Sequence, residues 1–291
     1  MRLAIHGKEF NRQSAPVIIR LFEILSSRKI EFIVSANFSR YLKAAAFKKF
    51  RFKTFQPGNT LRGIDFFISI GGDGTLLECV TFIGSSEIPV LGINTGRLGF
   101  LATINKDDTE KAITDLLAGA FTLDRRAMLK LETSKPVFGK MNFALNDFSV
   151  VKKDSSSMIT IHTYIDGEFL NSYWADGIIV STPTGSTGYS LSCGGPLIFP
   201  RSGNFVITPV SPHNLTVRPI VVSDSSEITF RVEGRSKKFL VSLDSRIAAV
   251  DASIKLKVSK GNFGVNLIQL EGQHYFKTLR QKLNWGLDIR N

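Results

Sequence analysis

The sequence predicts two domains of different classes, an α/β domain followed by an all-β domain. In the first part of the chain, apolar strand patterns alternate with helical patterns. From about residue 121 the pattern changes to short strands separated by turns. The length of 291 residues fits two domains, since one domain usually holds roughly 100 to 200 residues.

The alternation in the first part is typical of a parallel sheet covered by helices. Ile113, Leu116 and Leu117 show the helical spacing that places apolar side chains on one face. The predicted strands lie at residues 3–5, 31–34, 65–70 and 89–93, and the predicted helices at 15–28, 38–50, 75–82 and 108–117. We therefore expect an α/β domain over residues 1–121.

The second part is predicted to form an all-β domain over residues 122–269. Its clearest signal is a strand pattern at 158–164, followed by Asp166-Gly167 and a second strand from 168, because Asp-Gly between two strands favours a tight hairpin turn. The last segment, 270–291, has a helical pattern at 275–285, and we expect it to pack against the first domain.

Composition narrows the possible partners and the cellular compartment but does not identify the function. The formal charge is +12, from 37 Lys and Arg less 25 Asp and Glu, which attracts anions such as nucleotides, nucleic acid or an anionic membrane. The two cysteines, Cys79 and Cys193, lack the spacing of a disulfide framework or zinc site. The first residues resemble a strand rather than a signal peptide, and no apolar run approaches the roughly 20 residues that span a bilayer. We expect a cytoplasmic protein without a membrane partner.

A glycine turn, Gly71-Gly72-Asp73-Gly74-Thr75, follows the apolar strand pattern at 66–70. Glycine N–H groups can converge on a phosphate, and a helix beginning at Thr75 directs its positive dipole end at the same anion. The carboxylate of Asp73 requires an explanation there, because it repels phosphate. It could accept a proton from a hydroxyl nucleophile, help to hold Mg²⁺, or only cap its own turn.

A second stretch of small residues runs from Asp176 to Pro196. Hydroxyls and exposed backbone suit a polar ligand, and Tyr189 could stack on a base; the alternative is a purely structural turn. Upstream, Asn146-Asp147 places an amide beside a carboxylate. That pair is either an ordinary turn or a group that recognises a base edge and ribose hydroxyls.

The order and spacing of these motifs resemble the NAD kinase family, bacterial type. The resemblance covers nearly the whole chain and also includes 92–102, 211–221, 243–246 and 275–279. It implies a Rossmann-like parallel-sheet domain, a β-sandwich domain, and a C-terminal segment that returns to the first domain.

The resemblance also implies an activity, which is ATP-dependent phosphorylation of the 2'-hydroxyl of the adenosine ribose of NAD to give NADP. NAD and ATP are the expected partners, with Mg²⁺ or another divalent cation accompanying ATP, and the expected assembly is a homotetramer or homodimer. A nucleic-acid partner is not expected, because the mixed basic and aromatic run 48–53 is more typical of a solvated helix end.

The resemblance assigns a role to each site residue. Asp73 is the expected proton acceptor, and no protein metal ligands are assigned. The expected contacts to donor phosphate come from Gly71, Gly72 and Thr75. The expected contacts to the dinucleotide come from Gly74, Asn146, Asp147, Asp176, Thr187, Gly188, Tyr189, Ser190, Ser192 and Arg246.

Four residues depart from the family pattern, of which Gly188 stands where Ala is frequent and should be tolerated. Asp147 stands where Glu is more usual, Trp174 where a basic residue is frequent, and Arg246 where Gln is frequent. The last two departures alter the charge expected near the dinucleotide, so the preference for NAD or NADH stays open. The range of phosphate donors and any feedback regulation also stay open.

Other functions share parts of this pattern. Lipid kinases of the diacylglycerol or sphingosine type and phosphofructokinase-like sugar kinases carry a similar glycine turn. The stretch from Thr184 to Pro196 argues against the first class, and the all-β second half argues against the second. The non-enzymatic alternative is a dinucleotide sensor that has lost catalysis. The presence of Asp73, the expected proton acceptor, argues against it.

Overall fold

The computed structural model describes residues 1–43, 45–59, 61–153 and 157–286. The chain divides into two compact units, of which unit 1 is Met1–Arg125 with Val265–Asn291 and unit 2 is Arg126–Gly264. Unit 1 holds a parallel sheet with helices, and unit 2 holds antiparallel sheets. The predicted fold class is confirmed, including the return of the last segment to the first unit.

The elements are numbered along the chain. The strands are β1 Arg2–Gly7, β2 Glu31–Ser35, β3 Lys53–Phe55, β4 Phe66–Ile70, β5 Val90–Asn94, β6 Ile104–Asn105, β7 Phe121–Thr133, β8 Phe143–Ala144, β9 Asp147–Lys152, β10 Ile159–Ile165, β11 Glu168–Ala175, β12 Gly177–Ser181, β13 Asn204–Val210, β14 Ile220–Ser223, β15 Ile228–Glu233, β16 Lys238–Leu243, β17 Arg246–Asp251 and β18 Leu256–Leu270. The α-helices are α1 Ala15–Ser27, α2 Ala36–Ser39, α3 Asp73–Ile83, α4 Thr109–Ala118, α5 Tyr189–Ser192 and α6 Tyr275–Leu283. Short 3₁₀ helices occupy Tyr41–Lys43, Ala45–Phe47, Gly84–Ser86, Lys106–Asp108 and Gly185–Thr187.

In unit 1 the strands run in the order β3-β2-β1-β4-β5, all parallel. Parallel strands covered on both faces are nearly continuous apolar runs, and β5 is buried along its whole length. Ile70 at the end of β4 is in register with Ile93 near the end of β5. The segments that follow these two strands therefore start side by side at one edge of the sheet, which is where ligands bind in open α/β sheets.

The core of unit 1 is rich in phenylalanine. The ring of Phe22 on α1 is fully buried and contacts the rings of Phe32, Phe47, Phe50 and Phe52, with centroids 5.1 to 6.2 Å apart. Such tilted and edge-to-face pairs suit the aromatic quadrupole. These phenylalanines are therefore core residues rather than stacking platforms for a ligand.

The predicted helix over 38–50 is wrong. The chain forms α2 and two 3₁₀ turns there, with residue 44 outside the described residues. The Ser35 side chain accepts the Phe38 N–H at 3.2 Å and starts α2, but the chain must then turn to bring Phe47 and Phe50 onto Phe22 before it forms β3, a strand the sequence did not predict. Tertiary packing overrides helix propensity in this segment.

Two further boundaries differ from the predictions. Helix α3 begins at Asp73 rather than Thr75, so the carboxylate belongs to the first helical residue. Helix α6 covers Tyr275–Leu283, and residues 287–291 of the predicted C-terminal segment lie outside the described part of the chain.

Unit 2 is a β-sandwich. One antiparallel sheet has the order β14-β13-β12-β9-β16-β17, and a second contains β11, β10, β15 and the first part of β18. Apolar side chains from both sheets share one core, in which Phe148 of β9 and Phe230 of β15 lie 5.7 Å apart between ring centroids. Residues 145–146, between β8 and β9, and the residues after β12 follow directly from strands of this sandwich.

Among the helices of the described residues, none has the length and apolar character needed to cross a bilayer.

Replacing Phe22 by alanine tests the aromatic core of unit 1. We expect Phe22→Ala to lower the free energy of unfolding by about 3–5 kcal/mol, because it leaves a cavity bounded by four rings. Urea denaturation measures the loss. Phe276→Ala is the matched control, because the Phe276 side chain is 56% exposed, and its effect should stay within about 0.5 kcal/mol. Equal losses in the two variants would contradict the proposed packing.

Candidate active site

The glycine turn after β4 has a backbone that only glycine accepts at its first position. Gly71 has φ +151°, and a Cβ there would overlap the Thr75 side chain. The Gly71 N–H donates to the Ile93 carbonyl at 2.9 Å, which attaches the turn to β5. Since the first N–H groups of a helix lack intrahelical partners, the start of α3 offers N–H donors and a positive dipole end to an anion.

Asp73 is held by the chain segment that follows β5. Its Oδ2 accepts the Phe100 N–H at 2.8 Å, and its Oδ1 accepts the N–H groups of Leu101 and Ala102, each at 2.9 Å. A Cβ on Gly99 would overlap the same carboxylate. A carboxylate has about four acceptor positions, so one remains, on Oδ2. Asp73 therefore does not cap its own helix; it orders the 100–102 turn and keeps one position for a donor.

A cavity of about 270 Å³ adjoins the turn. Its wall includes Gly71, Gly72 and Thr75 from the turn, and residues 94–97. Asn94 shapes the latter loop, because its amide donates to the Arg97 carbonyl at 2.6 Å and accepts the Gly96 N–H at 2.7 Å. The cavity thus brings together the three residues expected to contact donor phosphate.

Charged groups at this cavity include both signs. Lys8, Glu9 and Arg97 line it, and Lys8 pairs with Glu78 at 2.7 Å. Glu78 also meets His6 Nε2 at 3.1 Å. Burial alone raises the pKa of Glu78, but hydrogen bonds from His6 and Lys8 outweigh it, so the pKa is lowered and the carboxylate stays ionised. Glu78 thereby fixes Lys8 beside the cavity.

In unit 2, the backbone of the segment Leu145-Asn146-Asp147 is held by other residues, while the Asn146 and Asp147 side chains take no part in these bonds. Its backbone groups bond to Asp244 and Thr182. The Asn146 Oδ1 atom is buried and has no partner among the described residues. A buried polar atom without a partner costs about 1–3 kcal/mol, so this oxygen is a candidate acceptor for a ligand donor.

Asp147 is a buried carboxyl group in an unusual electrostatic state. Burial, and then the nearby charge of Asp244, raise its pKa from 3.8 to about 7. No side chain or N–H within the described ranges donates a hydrogen bond to its carboxylate. The group is therefore available to accept hydrogen bonds from hydroxyls of a bound molecule.

Tyr189 and Asp176 lie near Asp147. The pKa of Tyr189 is raised, first by burial, then by Cys193, and then by the charges of Asp147 and Asp176. Its ring is 43% exposed and so can be covered by a flat ligand. Asp176 forms an ion pair with Lys152 at 2.7 Å. Unit 2 thus brings together four of the residues expected to contact the dinucleotide, namely Asn146, Asp147, Asp176 and Tyr189.

The remaining residues of the second small-residue stretch are mostly structural in their contacts. The Thr187 hydroxyl donates to the Thr184 carbonyl at 3.2 Å, and the buried Ser190 hydroxyl pairs with Thr208 at 2.8 Å. Ser192 is exposed at the end of α5. A Cβ on Gly185 would overlap the Asn146 carbonyl, so the stretch needs a glycine there because it packs directly on the 145–147 segment.

Arg246 makes contacts that the sequence did not predict. Its guanidinium donates to the carbonyls of Met141 and Phe143 and lies over the rings of Phe138 and Phe143. Burial lowers its pKa. Two of its guanidinium nitrogens thus donate to backbone carbonyls and are not available to a dinucleotide.

Two residues were missed by the sequence reasoning. Asp244 and Thr182 hold the 145–147 segment, although 97 to 99 residues separate Asp244 from it. The motif Leu243-Asp244-Ser245-Arg246 was visible in the sequence, but only the fold shows which backbone it meets. Trp174 also has a partner, because its ring lies 4.3 Å from the His213 ring between centroids.

Comparison with known proteins gives one consistent result. Residues 3–121 match the family described as the ATP-NAD kinase N-terminal domain, and residues 145–270 match the ATP-NAD kinase C-terminal domain. The chain is 53% identical over 292 residues to the NAD kinase of Cytophaga hutchinsonii and 45% identical over 294 residues to that of Flavobacterium johnsoniae, with 100% of this chain and of each relative covered.

Two solved structures are similar in fold. A crystal structure of an NAD kinase from Archaeoglobus fulgidus in complex with ATP has a TM-score of 0.75 and 26% identity, over 98% of this chain and 99% of that one. A crystal structure of yeast NADH kinase complexed with NADH has a TM-score of 0.87 and 22% identity, over 100% of this chain and 89% of that one.

The raised pKa of Asp147 gives a stability that depends on pH. Between about pH 4 and pH 7 the folded chain keeps this proton and the unfolded chain loses it, so the free energy of unfolding falls as pH rises. We expect Asp147→Asn to remove this loss and to stabilise the protein by roughly 2–4 kcal/mol more at pH 8 than at pH 4.

Urea denaturation at the two pH values measures this difference. Asp251→Asn is the control, because Ser253 lowers the pKa of the exposed Asp251 by hydrogen bonding, and its replacement should give no gain at pH 8. A pH-independent effect of Asp147→Asn would show that this carboxyl titrates normally.

Proposed function

The chain belongs to the ATP-NAD kinase family, and from that premise we propose how its residues carry out the reaction. The enzyme phosphorylates NAD with ATP, transferring the phosphoryl group to the 2'-hydroxyl of the adenosine ribose to give NADP. Phosphoryl transfer needs little covalent work from a protein, so catalysis rests on positioning and on charge stabilisation.

The single acceptor position left on Asp73 Oδ2 supports this function most strongly. Three N–H donors fix the carboxylate plane, so a hydroxyl that bonds to the last position has a defined direction. We propose that this hydroxyl is the ribose 2'-hydroxyl, and that Asp73 takes its proton as the oxygen–phosphorus bond forms. A carboxylate is a weak base toward an alcohol, so its main contribution is to orient the oxygen until its proton becomes acidic.

The donor phosphates are proposed to bind at the start of α3 and in the adjoining cavity of about 270 Å³. Gly71 and Gly72 let the backbone approach closely, and the Thr75 hydroxyl lies beside Gly71. Lys8 and Arg97 add positive charge at the wall. Together these groups favour a polyanion over a neutral ligand.

A divalent cation fits this donor set as a companion of ATP. The described residues contain no group of three or more His, Cys, Asp or Glu side chains that could hold a metal by themselves. Mg²⁺ commonly uses phosphate oxygens, waters and one or two carboxylates, and Glu9 is a carboxylate at the cavity wall. When bound, the ion would neutralise phosphate charge.

The dinucleotide is proposed to bind unit 2 through Asn146, Asp147, Asp176 and Tyr189. The unpartnered Asn146 Oδ1 suits the exocyclic amino group of adenine, since an amide presents both acceptor and donor edges. Asp147 suits ribose hydroxyls, as carboxylates do in dinucleotide sites. The half-exposed ring of Tyr189 offers a surface for a base or ring.

Assembly and location are also proposals. We propose a homotetramer or homodimer, in which a subunit interface would cover some of the exposed apolar side chains, such as Leu215, Ile247 and Phe169. We propose the cytoplasm as the compartment, which is supported by two cysteines that form no disulfide.

Replacing Asp73 by asparagine tests the catalytic role. Asparagine keeps one acceptor oxygen but replaces the other oxygen by a donor that cannot take a proton, so we expect Asp73→Asn to lower kcat by about 10²–10⁴-fold. The Kd for NAD should change less than about threefold. Steady-state assays of NADP formation and titration of NAD binding measure the two quantities.

Asp107→Asn serves as the control, because Asp107 is an exposed residue, and it should keep normal turnover. Near-normal kcat in folded Asp73→Asn would overturn the proposed role. The same assay with other nucleoside triphosphates, polyphosphate and NADH measures the substrate range, and absence of product with every pair would favour a sensor or lipid kinase.

A further inference from the structure

Asp244 lies at the corner between β16 and β17, 97 to 99 residues away from the segment it holds. Its Oδ1 accepts the N–H groups of Asn146 at 2.8 Å and Asp147 at 3.3 Å, and its Oδ2 accepts the Leu145 N–H at 3.0 Å. Its own N–H donates to the Asp147 carbonyl at 3.0 Å. One residue thus makes four hydrogen bonds to three consecutive residues.

Thr182 satisfies the rest of the same segment. Its hydroxyl donates to the Leu145 carbonyl at 2.5 Å, and its N–H donates to the Asn146 carbonyl at 2.9 Å. Asp244 and Thr182 therefore satisfy every N–H and carbonyl group of residues 145–147 between them. The backbone cannot turn without breaking several bonds, and the side chains of Asn146 and Asp147 are the only groups of the segment left for a ligand.

The same corner also holds the chain that leads into this segment. Arg246, two residues after Asp244, donates to the carbonyls of Met141 and Phe143. The charges of Arg246 and Asp244 attract each other. Burial raises the pKa of Asp244, although N–H bonds from the 145–147 backbone and the charge of Arg246 oppose this shift. The hairpin corner therefore fixes residues 141–147, because the Asp244 carboxylate accepts N–H groups and the Arg246 guanidinium donates to carbonyls.

We propose that Asp244 is a positioning residue for NAD, which holds the 145–147 segment so that the Asn146 amide and the Asp147 carboxylate meet the dinucleotide in one fixed orientation. This inference rests on the proposed function, because it takes Asn146 and Asp147 as the NAD contacts. Asp244 itself makes no contact with NAD in this account.

A carboxylate is suited to this role for two reasons. Three N–H groups need an acceptor with several lone pairs, and a neutral amide supplies only one acceptor oxygen. The negative charge also lies beside Asp147 and favours the protonated form of that carboxyl. Arg246 on β17 acts on Asp244, and Asp244 acts on Asp147 on β9. The other titratable groups nearby are Tyr189 and Cys193 at α5 and Asp176 before β12, since Cys193, Asp147 and Asp176 act on Tyr189.

The variant Asp244→Asn tests the proposal in the full chain. We expect the KM for NAD to rise about tenfold or more, because one N–H of the segment faces an amide donor instead of an acceptor. The kcat and the KM for ATP should stay within about twofold. Steady-state assays of NADP formation with each substrate varied give all three values.

The pH profile separates positioning from a general loss of structure. If ionised Asp147 binds ribose, kcat/KM for NAD falls on the acid side of about pH 7 in the wild type. In Asp244→Asn this acid limb should move to lower pH, since the neighbouring negative charge is gone. The control Asp251→Asn, at the far end of the same hairpin, should leave the limb and both KM values unchanged.

Two results would overturn the proposal in a folded variant. One is an unchanged KM for NAD, and the other is an equal rise in both KM values without a shift of the acid limb. If Asp244→Asn does not fold, Thr182→Val tests the same segment from its other side, since it removes the 2.5 Å bond to the Leu145 carbonyl and the acceptor of the Gly185 N–H. A rise in the KM for NAD alone supports the proposal, and no rise overturns it.

Asn146→Ala and Asp147→Asn keep this test distinct from the test of the proposed function. If neither variant raises the KM for NAD, the assignment of the NAD contacts fails. If both do and Asp244→Asn does not, only the positioning role of Asp244 fails.

Discussion

Each unit of this chain orders one short segment beside a proposed ligand site by one carboxylate that accepts three consecutive backbone N–H groups. Asp73 holds residues 100–102 in unit 1, and Asp244 holds residues 145–147 in unit 2. Residues 100–102 and 145–146 lie outside the strands, and each buried N–H left unpaired there costs about 1–3 kcal/mol. One carboxylate removes that cost three times and holds the segment in one conformation. Close packing then demands glycine at Gly99 and Gly185, where a Cβ would overlap a neighbouring atom.

The proposed dinucleotide site contains two buried polar groups that lower the stability of the free protein. Asp147 is buried beside another carboxylate with its pKa raised to about 7, and Asn146 Oδ1 is buried without a partner among the described residues. Neither arrangement stabilises the free protein, because buried polar groups are normally paired. A ligand that donates hydrogen bonds to both groups removes this cost. Binding of the dinucleotide would therefore stabilise both the complex and the site. Proteins commonly break such local rules at functional sites.

Much of the architecture could be predicted from the sequence, because it depends on local patterns. The alternation of strands and helices, the hairpin at Asp166-Gly167 and the glycine turn at 71–75 are each set by neighbouring residues. The helix predicted over 38–50 was wrong because Phe22 on another helix decides where Phe47 and Phe50 lie. The bonds of Asp73 and Asp244 could not be predicted either, since their partners lie 27 to 29 and 97 to 99 residues away. Arg246 shows the same limit, because the carbonyls that it bonds belong to Met141 and Phe143, 105 and 103 residues away.

A crystal structure of the enzyme with NAD and a non-hydrolysable ATP analogue tests the central claim most directly. The claim is that three backbone N–H groups orient Asp73 and leave one acceptor position on Oδ2 for the ribose 2'-hydroxyl. We expect all three N–H bonds to persist and the 2'-oxygen to lie about 2.6–3.2 Å from Oδ2, within hydrogen-bond reach. A 2'-oxygen bonded to a different residue, with Asp73 contacting only the 100–102 backbone, would contradict it.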